Sequence, residues 1–470
     1  MSSLFKEKIL EHNKREYGET YHRLKWVTSD EAEKASQERE AILRSLRGRA
    51  RFGFHDTKIY SGALSPGCLA CGAGSWSCLF INSLCNARCF YCPSEQTARS
   101  EPTTNGLVFA NPQDYLDYLE RFEFTGVSIS GGEPFLTFDK TRLFVSKIKK
   151  KFGCRVHMWL YTNGLAVTRE KLERLKDAGL DEIRFDISAH QYHLENLGIA
   201  TDVMKTVTVE IPTIPEDIER LRILLPRLEE MRVKHLNLHD LRCTPHNCTN
   251  LMRRGYRFLH GAKVTVLDSE LSALRLIAHA RDQRIALPIH YCSFIYKERF
   301  QTRGHRKRLA KFSSKPFESI TDVGAIRRIS LKAEPEEIEG IVRRFEDLDF
   351  DRALWRAEGV AKALLIHQQL LPHLITKQRS VFLSYYVPVL MPAVTYRFPF
   401  EAITLSRRRN VVIERHPLFK EKKVERQMLQ RLLTPRDKDN HPKAPENKHE
   451  TFPEELLELE EVGWGLQEYF

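Results

Sequence analysis

Cysteine is the residue type in this sequence most able to do chemistry, and its distribution is uneven. The 470 residues contain 10 cysteines, and six of them fall between Cys68 and Cys92. That number is too sparse for a disulfide scaffold, whereas local clustering is typical of metal binding. Cys85, Cys89 and Cys92 form a C-x3-C-x2-C pattern. Three thiolates can hold three corners of a [4Fe-4S] cluster and leave the fourth iron with an open coordination position, so the pattern predicts a reactive iron-sulfur site.

A second motif follows the next predicted strand and consists of Gly131, Gly132, Glu133 and Pro134. Two residues without side chains allow a close approach to the backbone, and Glu133 adds negative charge. On its own the string predicts only a turn. Its place at the carboxyl end of a strand, one strand after the cysteine loop, predicts a binding site for a cationic group.

The two motifs, together with Tyr91 directly before the last cysteine, resemble those of the radical S-adenosylmethionine (SAM) superfamily. The strings SPGCLACGAG, LNLHDL and IHYCSFIYKERFQ also resemble a group of prokaryotic radical SAM proteins labelled pyruvate formate-lyase activating enzyme-like. The resemblance implies that the cluster reductively cleaves SAM and that the resulting 5'-deoxyadenosyl radical abstracts hydrogen from a substrate. It also implies that Gly131, Gly132 and Glu133 receive the methionine ammonium group. A reductase or flavodoxin-type protein would then donate the electron. The alternative for the three cysteines is a structural zinc knuckle or a set of packed thiols.

Alternating strand and helix patterns predict the elements that position these motifs. Six or seven parallel strands can curl into a full or partial (β/α) barrel, which carries its functional residues at the carboxyl ends of the strands. The predicted strands are 78–84, 126–130, 155–162, 182–188, 207–211, 235–241 and 285–290. The predicted helices between them are 112–122, 138–151, 168–178, 215–232 and 267–281.

Other polar residues lie at the predicted strand ends. Asn163 follows the third strand, and alternation places Arg184, Asp186 and Ser188 on one face of the fourth. A polar face in a parallel strand predicts a barrel interior. The resemblance implies that Ser188 and Glu210 contact the ribose and carboxylate of SAM, and we count Tyr91 and Asn163 with them as cofactor-binding candidates. The alternative for each is a buried polar residue with internal partners.

An upstream C-x2-C-x6-C pattern, formed by Cys68, Cys71 and Cys78, predicts a second metal site for zinc, iron or an auxiliary cluster. A fourth ligand is missing locally. Cys154 precedes the third strand at the same end of the barrel, so we predict a tetrathiolate site of these four cysteines. The alternative is a set of reduced, packed thiols.

Further candidates lie towards the opposite mouth of the predicted barrel. Cys243 and Cys248 could hold metal or donate a hydrogen atom, although packed thiols are favoured. His239 and His290 are candidate substrate contacts, and Cys292 ends the last predicted strand.

The composition favours an anionic partner. The net charge is +12 and the pI is about 9.1. Residues 297–315 hold eight Lys or Arg against one Glu, which could attract RNA, a phosphorylated metabolite or an acidic peptide. A solvated helix face is the alternative. No apolar run reaches the length of a membrane span and no signal peptide is visible, so we expect a cytoplasmic protein without a membrane partner.

The predicted domains are a helical N-terminal extension (1–60), a radical SAM barrel (61–315), an α+β accessory domain (316–434), and a linker with an acidic tail (435–470). Within the accessory domain we predict strands at 319–333, 382–391 and 410–415 and helices at 335–345 and 356–371. The predicted function is a radical SAM oxidoreductase whose substrate could be a protein or peptide. The alternatives are an RNA-modifying radical SAM enzyme and a non-catalytic iron-sulfur electron-transfer or binding protein.

Overall fold

The protein is represented by a computed structural model. It describes residues 3–96, 100–359, 362–374, 380–407, 409–418, 421–425, 429 and 453–470. The chain divides into two compact units: one comprises Met1–Thr302 with Trp464–Phe470, and the other comprises Arg303–Gly463. No helix among the described residues is both long and apolar enough to cross a membrane.

The first unit contains the following helices and strands. The helices are α1 (Ser3–Tyr17), α2 (Ser29–Leu46), α3 (Pro66–Gly72), α4 (Pro112–Arg121), α5 (Phe138–Phe152), α6 (Arg169–Asp177), α7 (Glu195–Val203), α8 (Ile218–Glu230), α9 (Cys248–Met252), α10 (Leu267–Asp282) and α11 (Phe294–Tyr296). The strands are β1 (Arg51–Gly53), β2 (Lys58–Tyr60), β3 (Trp76–Phe80), β4 (Thr103–Thr104), β5 (Leu107–Val108), β6 (Gly126–Ser130), β7 (His157–Thr162), β8 (Glu182–Phe185), β9 (Val207–Pro212), β10 (His235–His239), β11 (Phe258–Leu259), β12 (Thr265–Val266) and β13 (Ile289–Cys292).

Seven of these strands form a continuous parallel sheet in the order β13-β10-β9-β8-β7-β6-β3, and short antiparallel pairs extend both edges. All seven predicted strands are present, which confirms the α/β architecture. Helices connect most neighbouring strands, as parallel pairing requires. The largest shifts are in the first strand, predicted at 78–84 and observed at Trp76–Phe80, and in the last strand, predicted at 285–290 and observed at Ile289–Cys292.

Helix α4 illustrates why the sequence forms these units. Asn111 caps its first turn, with its side chain accepting the amide of Gln113 at 2.9 Å, and Pro112 occupies the first helical position. Both residues favour a helix start. Tyr115 and Leu119, one turn apart, are buried against the sheet side, so a single apolar stripe packs the helix and leaves its charged residues outside.

The curvature of the sheet follows from α3. This helix has seven residues and is therefore about 10 Å long, whereas seven flat strands would span about 29 Å. It contacts β3, β6 and β7, and its Cys68 also reaches Asn237 on β10 and His290 on β13. One short helix can touch both edges only if the sheet curls around it. The sheet is therefore a partial barrel with α3 in its interior.

The second unit is an α+β fold, as predicted. Its helices are α12 (Arg303–Ser313), α13 (Pro335–Asp347) and α14 (Glu454–Glu460). Its strands are β14 (Ser319–Ile320), β15 (Ile326–Lys332), β16 (Trp355–Glu358), β17 (Ala363–Ile366), β18 (Ser380–Met391), β19 (Phe400–Ser406), β20 (Arg409–Pro417) and β21 (Lys422–Val424). The antiparallel sheet has the order β16-β17-β15-β18-β20-β19.

The predicted helix at 356–371 is wrong. The segment instead contains β16, β17 and a short 3-10 helix, with Trp355 paired to Ile366. All four residues of β17 are buried, so its apolar run reflects a central strand rather than one helix face. Periodicity alone does not separate these two cases in short apolar segments.

The predicted linker falls largely outside the described residues, since 430–452 are not among them. Of the acidic tail, Glu454–Glu460 forms α14, while Trp464–Phe470 belongs to the first unit. Within this segment, the carbonyl of Gln467 accepts from the Arg39 guanidinium at 2.7 Å, and the side-chain amide of Gln467 donates to the carbonyl of His260.

Candidate functional site

The predicted cluster site lies on the loop that leaves β3. Cys85, Cys89 and Cys92 are all partly exposed free thiols. The amide of Asn163, directly after β7, lies 3.5 Å from Cys85 Sγ, and the amide of Gln96 donates to Cys92 Sγ at 2.7 Å. N–H groups that face sulfur stabilise thiolate and tune a bound iron-sulfur cluster.

The electrostatics of this loop suit a cationic metal. Burial, with a smaller contribution from Asp186, raises the pKa of the Cys89 thiol to about 12. Burial also raises the pKa of Cys92. These thiols ionise at neutral pH only when positive charge compensates them, as iron does.

The donor set fits a multi-iron cluster. Each thiolate of a cubane binds a different iron atom, so the three sulfurs need not meet at one point. Consistent with this, no three Cys, His, Asp or Glu side chains among the described residues converge closely enough to hold a single ion. Cys85, Cys89 and Cys92 nevertheless interact electrostatically with one another. Three soft ligands on one loop are the set that a [4Fe-4S] cluster requires.

The two glycines of the Gly-Gly-Glu turn pack against the start of the cysteine loop. The amides of Gly132 and Glu133 donate to the carbonyls of Asn82 and Leu84 at 2.8 and 2.5 Å. A Cβ on Gly132 would stand 1.9 Å from the Leu84 oxygen, and Gly131 has φ +128°. Only glycine permits this contact between the two backbones, so the turn fixes the position of the cysteine loop.

Glu133 binds the end of the neighbouring strand. Its fully buried carboxylate accepts from the amide of Asn163 at 2.7 Å, the hydroxyl of Thr162 at 2.9 Å and the amide of Phe135 at 3.0 Å. Burial raises its pKa to about 7, although these donors act in the opposite direction. The carboxylate therefore connects the turn after β6 to the end of β7.

Tyr91 joins the cysteine loop to β8. Its hydroxyl donates to Asp186 at 3.0 Å and lies 2.6 Å from the hydroxyl of Ser188, which itself donates to Asp186 at 2.5 Å. Burial raises the pKa of Asp186. The structure thus brings the predicted residues Tyr91 and Ser188 together beside the cysteines.

Glu210 has internal partners. Its carboxylate accepts from Arg184 at 2.7 Å and from Asn237 at 2.7 Å, and it lies 2.6 Å from His239. His239 in turn lies 3.0 Å from the ammonium of Lys297. Although burial alone would raise the pKa of Glu210, Arg184 and His239 hold it well below its usual range. Its contact with SAM stays a prediction.

Sequence reasoning missed four amide side chains around the cysteine loop. Asn82 bonds the carbonyl of Glu133, Asn86 accepts from Asn163, Gln96 donates to Cys92, and Asn247 donates to the carbonyl of Tyr91. These residues belong to no motif. Only their nearness in sequence to the cysteines, for all but Asn247, could have indicated them.

The predicted tetrathiolate site is not assembled. Cys68 and Cys71 lie on α3 in the barrel interior, and Cys78 lies on β3 beside Ser128. Cys154 is exposed in the turn before β7. The prediction placed all four cysteines at the amino-terminal end of the barrel, but α3 carries two of them inward and away from Cys154.

The remaining candidates have structural partners. Cys243 and Cys248 pack in an apolar cluster with Tyr91 and Tyr256, and burial raises the pKa of Cys243 to about 12. Some cations of the basic run also have partners: in the second unit Lys307 pairs with Asp322.

Comparisons with known proteins find a family match for the segment that carries this site. A family model described as the radical SAM superfamily matches residues 80–201, the segment that holds the cysteine loop, the Gly-Gly-Glu turn, Asn163 and Ser188. A Methanocaldococcus jannaschii protein named as a glycyl-radical enzyme activating enzyme is 29% identical over 277 residues, which cover 56% of this chain and 72% of that protein.

Two further proteins are similar to parts of the chain. A GTP 3',8-cyclase of Lactiplantibacillus plantarum is 33% identical over 112 residues, or 23% of this chain and 32% of the cyclase. Among solved structures, Streptococcus suis SuiB bound to S-adenosylmethionine shares 12% identity over 62% of this chain and 61% of its own, with a TM-score of 0.33. Residues 80–201 match the family model and thus form a radical SAM domain, and the protein is an enzyme that carries this domain.

Proposed function

We propose that this enzyme uses Cys85, Cys89 and Cys92 to hold a [4Fe-4S] cluster and acts on a C–H bond of a protein or peptide. The observation that carries the proposal is the convergence of three strand ends on one cysteine loop. The turn after β6 packs on the start of the loop, Asn163 after β7 faces Cys85, and Asp186 after β8 binds Tyr91.

When bound, the cluster supplies the electron that divides SAM into methionine and a 5'-deoxyadenosyl radical. The chain's own residues bind and orient. Gly131, Gly132, Glu133, Asn163 and Ser188 would line the SAM site. Because Glu133 is committed to Asn163 and Thr162, it orients the turn, and above its pKa of about 7 it adds negative charge for an ammonium group.

Tyr91 and Asp186 hold the loop between the second and third cysteines. The Tyr91 hydroxyl retains its proton because burial raises its pKa far above neutrality, so it acts as a hydrogen-bond donor to Asp186. This contact keeps the thiols of Cys89 and Cys92 near the end of β8.

Two observations support a polypeptide substrate. The relative of which this match covers 72% is named as an activating enzyme for glycyl-radical enzymes. An RNA substrate is favoured mainly by the basic run at 297–315. However, several cations of that run contact groups within the chain, including His239, Asp322 and Glu401. An external electron donor, a reductase or flavodoxin, is part of the proposal.

The first test measures the chemistry. Anaerobically reconstituted protein is reduced with dithionite in the presence of SAM, and 5'-deoxyadenosine is quantified. We expect the product from wild type and none from the Cys85→Ala/Cys89→Ala/Cys92→Ala variant. A wild-type protein that carries a full cluster and releases no 5'-deoxyadenosine would contradict the proposal.

The second test addresses the substrate class. The enzyme is incubated with SAM and lysate from its native cells grown in deuterated medium, separated into macromolecular and small-molecule fractions. We expect deuterium in 5'-deoxyadenosine only from the macromolecular fraction, with loss after protease treatment and retention after ribonuclease treatment. Loss after ribonuclease would favour RNA, and deuterium from the small-molecule fraction would favour a metabolite.

A further inference from the structure

The C-x4-C pattern of Cys243 and Cys248 has no part in the proposed chemistry, yet it encloses a turn that contacts the cysteine loop. This segment, the 243–248 turn, leads from β10 into α9. The Cys243 amide donates to the carbonyl of Val264 at 2.9 Å, and Cys248 is the first residue of α9. Both cysteines pack in an apolar cluster that also includes Tyr91. They therefore anchor the two ends of the turn beside the cysteine loop.

Asn247 joins the turn to the residue before Cys92. Its side-chain amide donates to the carbonyls of Tyr91 and Arg242, each at 2.9 Å, and its Oδ1 accepts from the backbone amide of Thr244 at 2.8 Å. The reverse orientation would set the amide oxygen against two carbonyl oxygens, so these three partners fix the orientation of the group. Asn247 is buried, and a buried amide that lost these partners would be destabilising.

Thr244 contacts the residue on the other side of Cys92. Its hydroxyl donates to the carbonyl of Pro93 at 3.1 Å. Thr244 is buried as well, and its backbone amide is held by Asn247. Because Tyr91 and Pro93 are the two chain neighbours of Cys92, the turn binds one carbonyl on each side of this cysteine.

These two contacts restrict the backbone of Cys92. The Tyr91 carbonyl belongs to the peptide plane that enters Cys92, and the Pro93 carbonyl belongs to the plane that leaves Pro93. Peptide planes are rigid, and the proline ring fixes φ of Pro93. Between the two held carbonyls, the soft torsions that remain are φ and ψ of Cys92 and ψ of Pro93. The direction of the Cys92 side chain is therefore restrained from outside its own loop.

The 243–248 turn complements the contacts that hold the rest of the cysteine loop. Asn163, after β7, faces Cys85, and Asp186, after β8, binds the Tyr91 hydroxyl. The turn follows β10, which is separated from β8 by β9. Its contact with Pro93 joins residues 151 positions apart in the chain. The start, the middle and the end of the loop are thus held from different strands.

We propose that Thr244 and Asn247 are positioning residues that hold Cys92 in the direction in which it binds the cluster. The inference rests on the proposed function, because it takes Cys92 as a cluster ligand. Both residues act through the backbone that flanks Cys92, by the carbonyl contacts described above. Three thiolates orient a cubane, so displacement of one of them would alter the electronic structure of the cluster and weaken its retention.

Hydrogen exchange of the full chain without iron measures the hold on Cys92. Loss of one hydrogen bond makes local opening about 2- to 12-fold more frequent. We expect Thr244→Val, which removes the hydroxyl, to speed exchange in residues 90–94 by this factor, whereas Thr244→Ser should keep the wild-type rate. Thr57→Val is the matched control, because Thr57 is also buried and its hydroxyl donates to the carbonyl of Phe54 at 2.6 Å. Unchanged exchange in Thr244→Val, or an equal increase in Thr57→Val, would overturn the proposal.

Reconstituted protein tests the effect on the cluster. Asn247→Asp keeps an acceptor for the Thr244 amide but loses the donor to the Tyr91 carbonyl. In this variant and in Thr244→Val we expect a changed EPR spectrum of the reduced cluster and iron loss to a chelator that is about 2- to 12-fold faster. Thr244→Ser should behave as wild type, and the Thr244 pair decides the matter if Asn247→Asp does not fold.

The two proposals fail in different ways. A wild type that assembles a cluster and matches Thr244→Val in spectrum and iron loss would overturn the positioning role. A wild type that assembles no cluster would reject the proposed function instead. In that case the exchange rates, which need no iron, still decide whether the 243–248 turn holds Cys92.

Discussion

The Glu133 carboxylate accepts the backbone amide of Asn163 at 2.7 Å, while the Asn163 side chain lies 3.5 Å from the Cys85 sulfur. One residue after β7 thus contacts both the Gly-Gly-Glu turn and the cysteine loop. A change at the buried carboxylate can therefore affect the sulfur without touching it.

The first prediction concerns pH. The pKa of Glu133 is about 7 in the folded protein against 4.5 for the free group. Between these values the folded state keeps a proton that the unfolded state has lost, so the free energy of unfolding should fall as pH rises, by about 3 kcal/mol in all. Urea unfolding from pH 4.5 to 8 measures it. Glu133→Gln should lack this part of the slope, and parallel curves for the two proteins would contradict the assignment.

The second prediction concerns Gly132. Alanine there would bring a Cβ to 1.9 Å from the Leu84 carbonyl oxygen, whereas a Cβ on Gly340 in α13 meets nothing within 4 Å. Gly132→Ala should reduce the free energy of unfolding by more than about 1 kcal/mol and lower the iron content. Gly340→Ala, the matched control, should add about 0.5 to 1 kcal/mol. Equal iron in both reconstituted variants would refute the packing role of Gly132.

The sequence predicted the seven parallel strands and the cysteine and Gly-Gly-Glu motifs because both are local signals. Alternating strand and helix patterns predicted the strands, and the order of the strands along the chain predicted which of them are neighbours. Tyr91 and Ser188 were predicted separately, and their contact joins the loop after β3 to the end of β8, although β6 and β7 lie between these strands in the sheet. The sequence predicted a role for Glu133 but not its partners, because Thr162 and Asn163 lie at the end of another strand.

Sequence could not place α3. A C-x2-C pattern indicates metal, but the partners of Cys68 lie on β10 and β13, more than 160 residues away. The nearby Cys154 was chosen instead, although it is exposed. Buried networks such as that of Arg184 and Glu210 also depend on the register between β8 and β9, which strand patterns do not specify.

The third prediction concerns that network. Arg184 pairs with Glu182 and Glu210 at 2.8 and 2.7 Å, and all three are buried. Arg184→Gln leaves two buried carboxylates without their cation and should cost about 3 to 5 kcal/mol in unfolding free energy. The exposed pair Arg343 and Glu339 gives the control: Arg343→Gln should cost less than about 1 kcal/mol. Similar losses in the two variants would contradict the prediction.

The fourth prediction concerns Tyr91. Tyr91→Phe removes the hydroxyl that binds Asp186 and Ser188, so we expect a loss of about 1 to 3 kcal/mol and less iron per chain after reconstitution. Tyr396→Phe serves as control because Tyr396 is 85% exposed. If iron content is unchanged in Tyr91→Phe, the tyrosine does not position the loop.

The last prediction tests the contact between Asn163 and Cys85. An N–H group that faces a cluster sulfur favours the more negative, reduced state, so Asn163→Ala should lower the reduction potential. A hydrogen bond of about 0.5 to 1.5 kcal/mol corresponds to a shift on the order of 20 to 60 mV for one electron. Spectroscopic redox titration of the reconstituted protein measures it. Asn196→Ala is the matched control, because the Asn196 amide bonds the carbonyl of Gly164 at 2.8 Å and no sulfur; a shift of equal size there would assign the effect to loop packing rather than to the N–H group.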